Sequence, residues 1–140
     1  MTVRTAASVR VGDTFGPITV PVSRQSLVDY AAASGDDNPI HQNEEFARGV
    51  GLPDVIAHGM WTMGATGSVL ADWVGGSGRI LEFGTRFSAM VVVPVDGSAI
   101  EVSGSVTSLD EESGQAVVEL TTSAAGAKVL SRCRATVQLG

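Results

Sequence analysis

The sequence predicts an α+β fold in which a curved antiparallel β-sheet wraps around one long α-helix. Three observations predict it. Residues 58–73 carry Met60, Trp61, Met63, Ala65, Val69, Leu70 and Trp73 with little polar face between them, and a helix apolar nearly all round is a buried one. The break Gly75-Gly76-Ser77-Gly78 then stops that pattern. Beyond it the apolar period changes to two, over four successive runs.

The elements follow in chain order. Residues 14–22 are apolar with Gly and Pro and read as a short entry strand. Ser23 can cap the next helix, because its side-chain oxygen can accept an orphan N–H. Leu27, Val28, Tyr30 and Ala31 recur at helical spacing, and Gly35 ends that helix. Asn43 is placed to cap a short helix over residues 44–48, with Glu44 and Glu45 at the end of the dipole that favours them. The long helix, residues 58–73, would reach about 24 Å at ~1.5 Å per residue, enough to cross a small domain. Gly64, Ala65, Gly67 and Ser68 keep it slim.

In the second half, Phe83, Thr85, Phe87, Ala89, Val91 and Val93 share one face of a strand. Ile100, Val102 and Val106 share a second, and Val118 and Leu120 a third. Val129, Ser131, Cys133, Ala135, Val137 and Leu139 make a fourth. The breaks carry turn chemistry at residues 94–97, 110–114 and 125–126. Short connections imply antiparallel pairing, and a sheet with one apolar face needs a cover, for which the long helix is the obvious candidate.

Composition sets the bounds. At 140 residues, 44% apolar and 17% charged, the chain is expected to form one globular domain over 1–140. The longest apolar run, residues 90–95, reads as a strand and falls far short of the roughly 18 residues a membrane span needs. No signal-peptide pattern opens the chain, so a cytoplasmic location is expected. Cys133 is the only cysteine, which excludes an intrachain disulfide. Two histidines and one cysteine are a thin supply for zinc, and no metal is expected. A net charge of -6 with scattered basic residues argues against nucleic acid as a partner.

The densest polar cluster is Gly35-Asp36-Asp37-Asn38-Pro39-Ile40-His41. On a helix, positions five apart point away from each other. Pro39 cannot continue a helix and pushes Asn38 to extended geometry, so Asp36 and His41 can converge on one point. A carboxylate and an imidazole sharing one water form a general acid/base pair. Asn38 could fix that water or orient a side chain. Standing alone, such a stretch is more often a solvated Asx turn.

The second cluster, Ile56-Ala57-His58-Gly59-Met60, opens the long helix. Free N–H groups there can hold a developing negative charge, and Gly59 lets a ligand approach the backbone. That describes an oxyanion hole for a thioester carbonyl. His58 reads first as a structural histidine bonding nearby backbone, and only second as a substrate-binding group. Cys133 falls on an apolar strand face and reads as core.

These two clusters together resemble the MaoC-like hydratases, also called hydratase 2. Residues 36–41 look like that family's D-x-N-P-[IL]-H signature, and Ala57-His58-Gly59-Met60 like its A-H-G-M segment. Arg86-Phe87 followed by Pro94 is similar to its R-F…P strand. The resemblance covers nearly the whole chain and is nearest to the short 3-hydroxyacyl-ACP dehydratase subunits of type II fatty-acid synthesis. It implies a hot-dog fold, dimers often joined sheet edge to sheet edge, and R-specific hydration of trans-2-enoyl thioesters or the reverse dehydration. Asp36 and His41 would then activate water, Gly59 N–H would hold the thioester carbonyl, and Asn38 would support them. No cofactor is implied beyond the CoA or phosphopantetheine that carries the acyl group. The departure is Asp37 at the variable position, which sets a second carboxylate beside Asp36. Two other readings compete: a hot-dog acyl-thioesterase, and one subunit of a heterodimer with a second hot-dog chain.

Overall fold

The computed structural model describes residues 2–140. Strand β1 (Thr14–Val22) leads into helix α1 (Arg24–Ser34), whose first turn is closed by Ser23 accepting the Ser26 N–H. Gly35 ends α1 at φ 79°, a left-handed turn that costs glycine nothing sterically. A single turn of 3-10 helix, Pro39–His41, and helix α2 (Glu44–Gly49) follow, the latter capped by Asn43. Helix α3 (Gly59–Val74) is the long central element and stops at Gly75, φ 100°, on which the main chain of Thr2 and Val3 packs.

The second half is strand after strand: β2 (Ile80–Phe87), β3 (Ser98–Asp110), β4 (Gln115–Ala124), the two-residue β5 (Ala127–Lys128) and β6 (Leu130–Gln138). They pair antiparallel in the order β1-β3-β4-β6-β2, with β5 on β4. Strand β1, predicted only as an entry strand, closes one edge by pairing with β3; β2 forms the other edge.

Alternation puts Ile100, Val102 and Val106, Val118 and Leu120, and Cys133, Ala135 and Val137 on the inner face. Val69, Leu70, Trp73 and Val74 of α3 meet them in one cluster. Full burial of each Leu, Ile or Val here contributes about 1.5–3 kcal/mol. Phe15 of β1 stacks on Trp73, centroids 4.8 Å apart, and its ring fills the space over Gly104 where a side chain would otherwise stand. Inside this apolar layer Thr66 of α3 meets Thr122 of β4 through their hydroxyls at 2.7 Å.

Two expectations are corrected. Residues 90–95 do not form a strand, and β2 ends at Phe87 rather than running on to Val93. Val92 makes only an isolated bridge to Ile56. The segment instead lies beside residues 55–57, with Ala57 N–H donating to Val91 O and Val93 N–H to Val55 O, each 2.8 Å. The pairing goes no further, as Val55 N–H donates to Asp54 Oδ1 and Val93 O accepts from Arg24 Nε instead. Val91 and Val93 are buried, so apolar burial alone produced the strand-like signal. Nor is α3 buried all round. Its sheet-facing side is covered, but Gly59, Met60, Gly64, Ser68 and Asp72 form an exposed stripe at helical spacing. One sheet covers only one side of a helix.

Candidate active site

Three stretches far apart in sequence build the site: the loop after α1, residues 55–58, and the end of β2. An ion-pair network fixes the first two. Arg24, at the start of α1, reaches Asp54 Oδ1 at 2.6 Å through Nη2 and Glu44 Oε2 at 3.1 Å through Nη1. Its Nε donates to Val93 O at 3.1 Å. Arg48 adds a 2.8 Å contact to Glu44, four residues before it. Asp54 also accepts the Val55 N–H at 2.8 Å. Helices α1 and α2, which flank residues 36–41, are thereby tied to the segment leading into α3. Such charge-assisted bonds are worth more than neutral ones. Composition and spacing gave no sign of the part Arg24 plays, because its partners lie 20 to 69 residues away.

Within the loop, Asp36 Oδ1 accepts the Asn38 N–H at 3.3 Å, and Asn38 Oδ1 accepts the Ile40 N–H at 3.2 Å. Asn38 therefore uses its side-chain oxygen on the backbone and starts the Pro39–His41 turn. That turn swings His41 inward, where it is buried, while Asp36 stays exposed. His41 N–H bonds Asn38 O at 3.1 Å, and Ile56 N–H bonds Ile40 O at 3.2 Å.

His41 Nδ1 lies 2.7 Å from Ile56 O. A carbonyl only accepts, so Nδ1 carries the proton and Nε2 is left with the lone pair of a base. Burial lowers the pKa of His41 below its ordinary 6.5; the bond to Ile56 works against that, the neighbouring His58 adds to it, and Asp36 opposes it. The net effect keeps His41 unprotonated near neutrality.

Asp36, His41 and His58 offer side-chain atoms that all lie within 4.8 Å of one another. One water can bridge groups at that separation. A metal fits them poorly. The His41 and His58 rings stack with centroids 3.8 Å apart and planes inclined by 22°. In-plane lone pairs on near-parallel rings run side by side, whereas zinc needs donors converging at about 2.0–2.1 Å.

His58 fulfils its structural reading: its Nε2 lies 3.0 Å from the main-chain O of Asp36. Gly59 begins α3, and the first intrahelical bond there is Thr62 N–H to His58 O at 3.2 Å, leaving the earlier N–H groups free of helix partners. The ring of Phe87 lies over Gly59, where an added Cβ would come within 3.0 Å of it. Phe87 was part of a resembling motif in sequence, but its place against Gly59 depends on β2 and α3 packing together. It separates two hollows. One, 330 Å³, includes His41, Thr62, Met90 and Val91; the other, 370 Å³, includes Tyr30, Asp36, His58 and Met60. Gly59 and Phe87 border both. A larger concavity of 1000 Å³ opens on the sheet near Glu82, Glu119, Arg132 and Arg134, and holds neither member of the pair. Cys133 is core, as expected, and burial raises its thiol pKa.

Asp36 and His41 thus line neighbouring hollows, and Gly59, at the free N–H end of α3, borders both. Residues 5–125 match the family described as MaoC like domain. An (R)-specific enoyl-CoA hydratase of Rhodospirillum rubrum is 31% identical over 119 residues, covering 84% of this chain and 80% of the relative. The fatty acid synthase beta subunit TOXC of Cochliobolus carbonum is 40% identical over 86 residues, 54% of this chain. A solved MaoC-like dehydratase superposes with a TM-score of 0.96 at 37% identity over 99% of this chain. The chain spans only 4% of the synthase subunit and 43% of that solved dehydratase.

Proposed function

The chain belongs to the MaoC-like domain family, and from that premise we propose that it adds water across trans-2-enoyl thioesters and, in reverse, dehydrates (3R)-hydroxyacyl thioesters. The observation that carries this reading is the approach of Asp36 and the His41 ring to within 4.8 Å beside the free N–H groups that open α3, with the His41 proton held on Nδ1 by Ile56 O.

The reaction runs as follows. Asp36 and His41 hold one water and take a proton as its oxygen bonds C3. The C2–C3 double bond supplies the electron pair that moves towards the thioester oxygen. Gly59 N–H, helped by the helix dipole, holds that developing negative charge. The abstracted proton is returned to C2, and collapse of the enolate restores the thioester. No electron leaves the substrate, so the reaction calls for no redox cofactor. The acyl group arrives on CoA or on the phosphopantetheine of a carrier protein. R stereochemistry is supported by the name of the Rhodospirillum rubrum relative, (R)-specific enoyl-CoA hydratase.

A homodimer is part of the reading. Strand β2 is a sheet edge, and Met60, Leu81 and Phe87 on or beside it are about half exposed. An unpaired edge strand with exposed apolar neighbours is disposed to pair with another chain. A second hot-dog chain could take that place instead, and sizing the purified protein distinguishes the two. No described helix is long and apolar enough to cross a membrane; a cytoplasmic location fits thioester chemistry.

The test is to mix the protein with a short trans-2-enoyl-CoA and follow loss of the conjugated thioester's ultraviolet absorbance, then resolve the product by chiral separation. A (3R)-hydroxyacyl-CoA is expected. Release of free CoA would replace this reading with a thioesterase.

A further inference from the structure

We propose that His58 is a positioning residue that holds both members of the pair in place, the main chain of Asp36 through its Nε2–H and the ring of His41 by stacking. Three contacts converge on this one side chain. Its Nε2 is 3.0 Å from Asp36 O, and since a carbonyl only accepts, Nε2 carries the proton. Its ring lies 3.8 Å from that of His41 in a near-parallel stack. It also meets the Tyr30 ring in an edge-type contact, centroids 4.8 Å apart. His58 is 2% exposed, so these contacts fix its rotamer. Its Nδ1 is buried and meets no hydrogen-bond partner among the described residues. A lone pair there is tolerable, whereas a second N–H would be a buried donor with no acceptor. The proton therefore belongs on Nε2, where it bonds Asp36.

The consequence is geometric. Asp36 sits on an exposed loop just past the left-handed Gly35, and the His58 bond is its tie to the helix that carries Gly59. His58 precedes Gly59 in sequence, so one residue links the carboxylate, the imidazole and the oxyanion donor. A displacement of about 1 Å in such a constellation can cost roughly 100-fold in rate.

The kinetic arm of the test rests on the hydratase reading, while the spectroscopic arm does not. Long-range 1H–15N spectra of the wild type should show His58 protonated on Nε2 and His41 on Nδ1, opposite tautomers on stacked rings. His58→Leu keeps bulk but not the bond; kcat with an enoyl-CoA should fall about 100-fold with KM little changed. His58→Gln can place an amide N–H near the Nε2 position and should recover most of kcat. His58 protonated on Nδ1, a folded Leu variant with wild-type kcat, or a folded Gln variant as slow as the Leu variant would each overturn the inference. Should the Leu variant not fold, the Gln variant and the tautomer spectrum decide. A wild type that hydrates no enoyl thioester would remove the hydratase reading, and the spectrum would still decide the placement of His58.

Discussion

The hydroxyls of Thr66 and Thr122 pin the middle of α3 to β4, and removing them one at a time should give unequal losses. Both residues are 0% exposed. Thr66 Oγ1 donates to Thr62 O at 2.9 Å and lies 2.7 Å from Thr122 Oγ1. Each hydroxyl has one proton. The proton of Thr66 goes to Thr62 O, so Thr122 must donate to Thr66. Thr66→Val then strands the buried donor of Thr122, at a cost of about 1–3 kcal/mol. Thr122→Val leaves Thr66 still bonded to Thr62 and removes only a bond it accepted, about 0.5–1.5 kcal/mol. With both hydroxyls gone no donor is stranded, and the double variant should lose about 1 kcal/mol or less. The sum of the single losses should thus exceed the double loss by about 2 kcal/mol. Urea unfolding with a constant m value measures all three. Additivity within about 0.5 kcal/mol, or a larger loss for Thr122→Val than for Thr66→Val, would refute the assigned direction of donation.

Other outcomes follow from the same geometry. Gly59→Ala keeps the N–H but sets a Cβ within 3.0 Å of the Phe87 ring; kcat/KM should fall roughly 100-fold, while the urea midpoint moves little because that half-exposed ring can give way. Because the folded-state pKa of His41 lies below its ordinary 6.5, the unfolded chain takes up this proton first as pH falls. Stability from this group should be complete above about pH 6.5 and be lost as pH drops through the lowered value, and His41→Ala should flatten that dependence in unfolding titrations. The acidic limb of kcat/KM should likewise lie below 6.5. Arg24→Leu leaves Asp54 and Glu44 with Arg48, 3.6 Å and 2.8 Å from them, as their remaining cationic partner; a stability loss of about 2 kcal/mol, read by urea unfolding, is expected for the charged, partly buried bonds that Arg24 makes.

Much of this molecule was legible because local chemistry and tertiary structure agree. Ser23, Gly35 and Asn43 close their helices as their side chains, or lack of one, dictate. The period-two runs became β2, β3, β4 and β6. The Asp36–His41 pair was readable because Pro39 forbids the helix that would separate them, and the structure brings them within 4.8 Å. What failed did so for a physical reason. Residues 90–95 carry strand-like apolar residues, yet they are buried against residues 55–57 rather than paired in the sheet. Apolar content reports burial, not hydrogen-bond partner. The exposed stripe on α3 was missed because Gly59, Gly64 and Ser68 are neutral in such a pattern, Met60 reads as apolar, and Asp72 alone marks a polar face. Strand order, the Arg24 network and the lean of Phe87 on Gly59 depend on contacts that no local period encodes.

The proposed hydration requires Asp36 and His41 to act as one unit on one water. Rates of enoyl-CoA hydration by Asp36→Asn, His41→Ala and the double variant test it most directly. Each single change should slow kcat about 10²- to 10⁴-fold, and the double variant should be little slower than the worse single one. Losses that multiply in the double variant, or a single variant that keeps wild-type kcat, would contradict the claim.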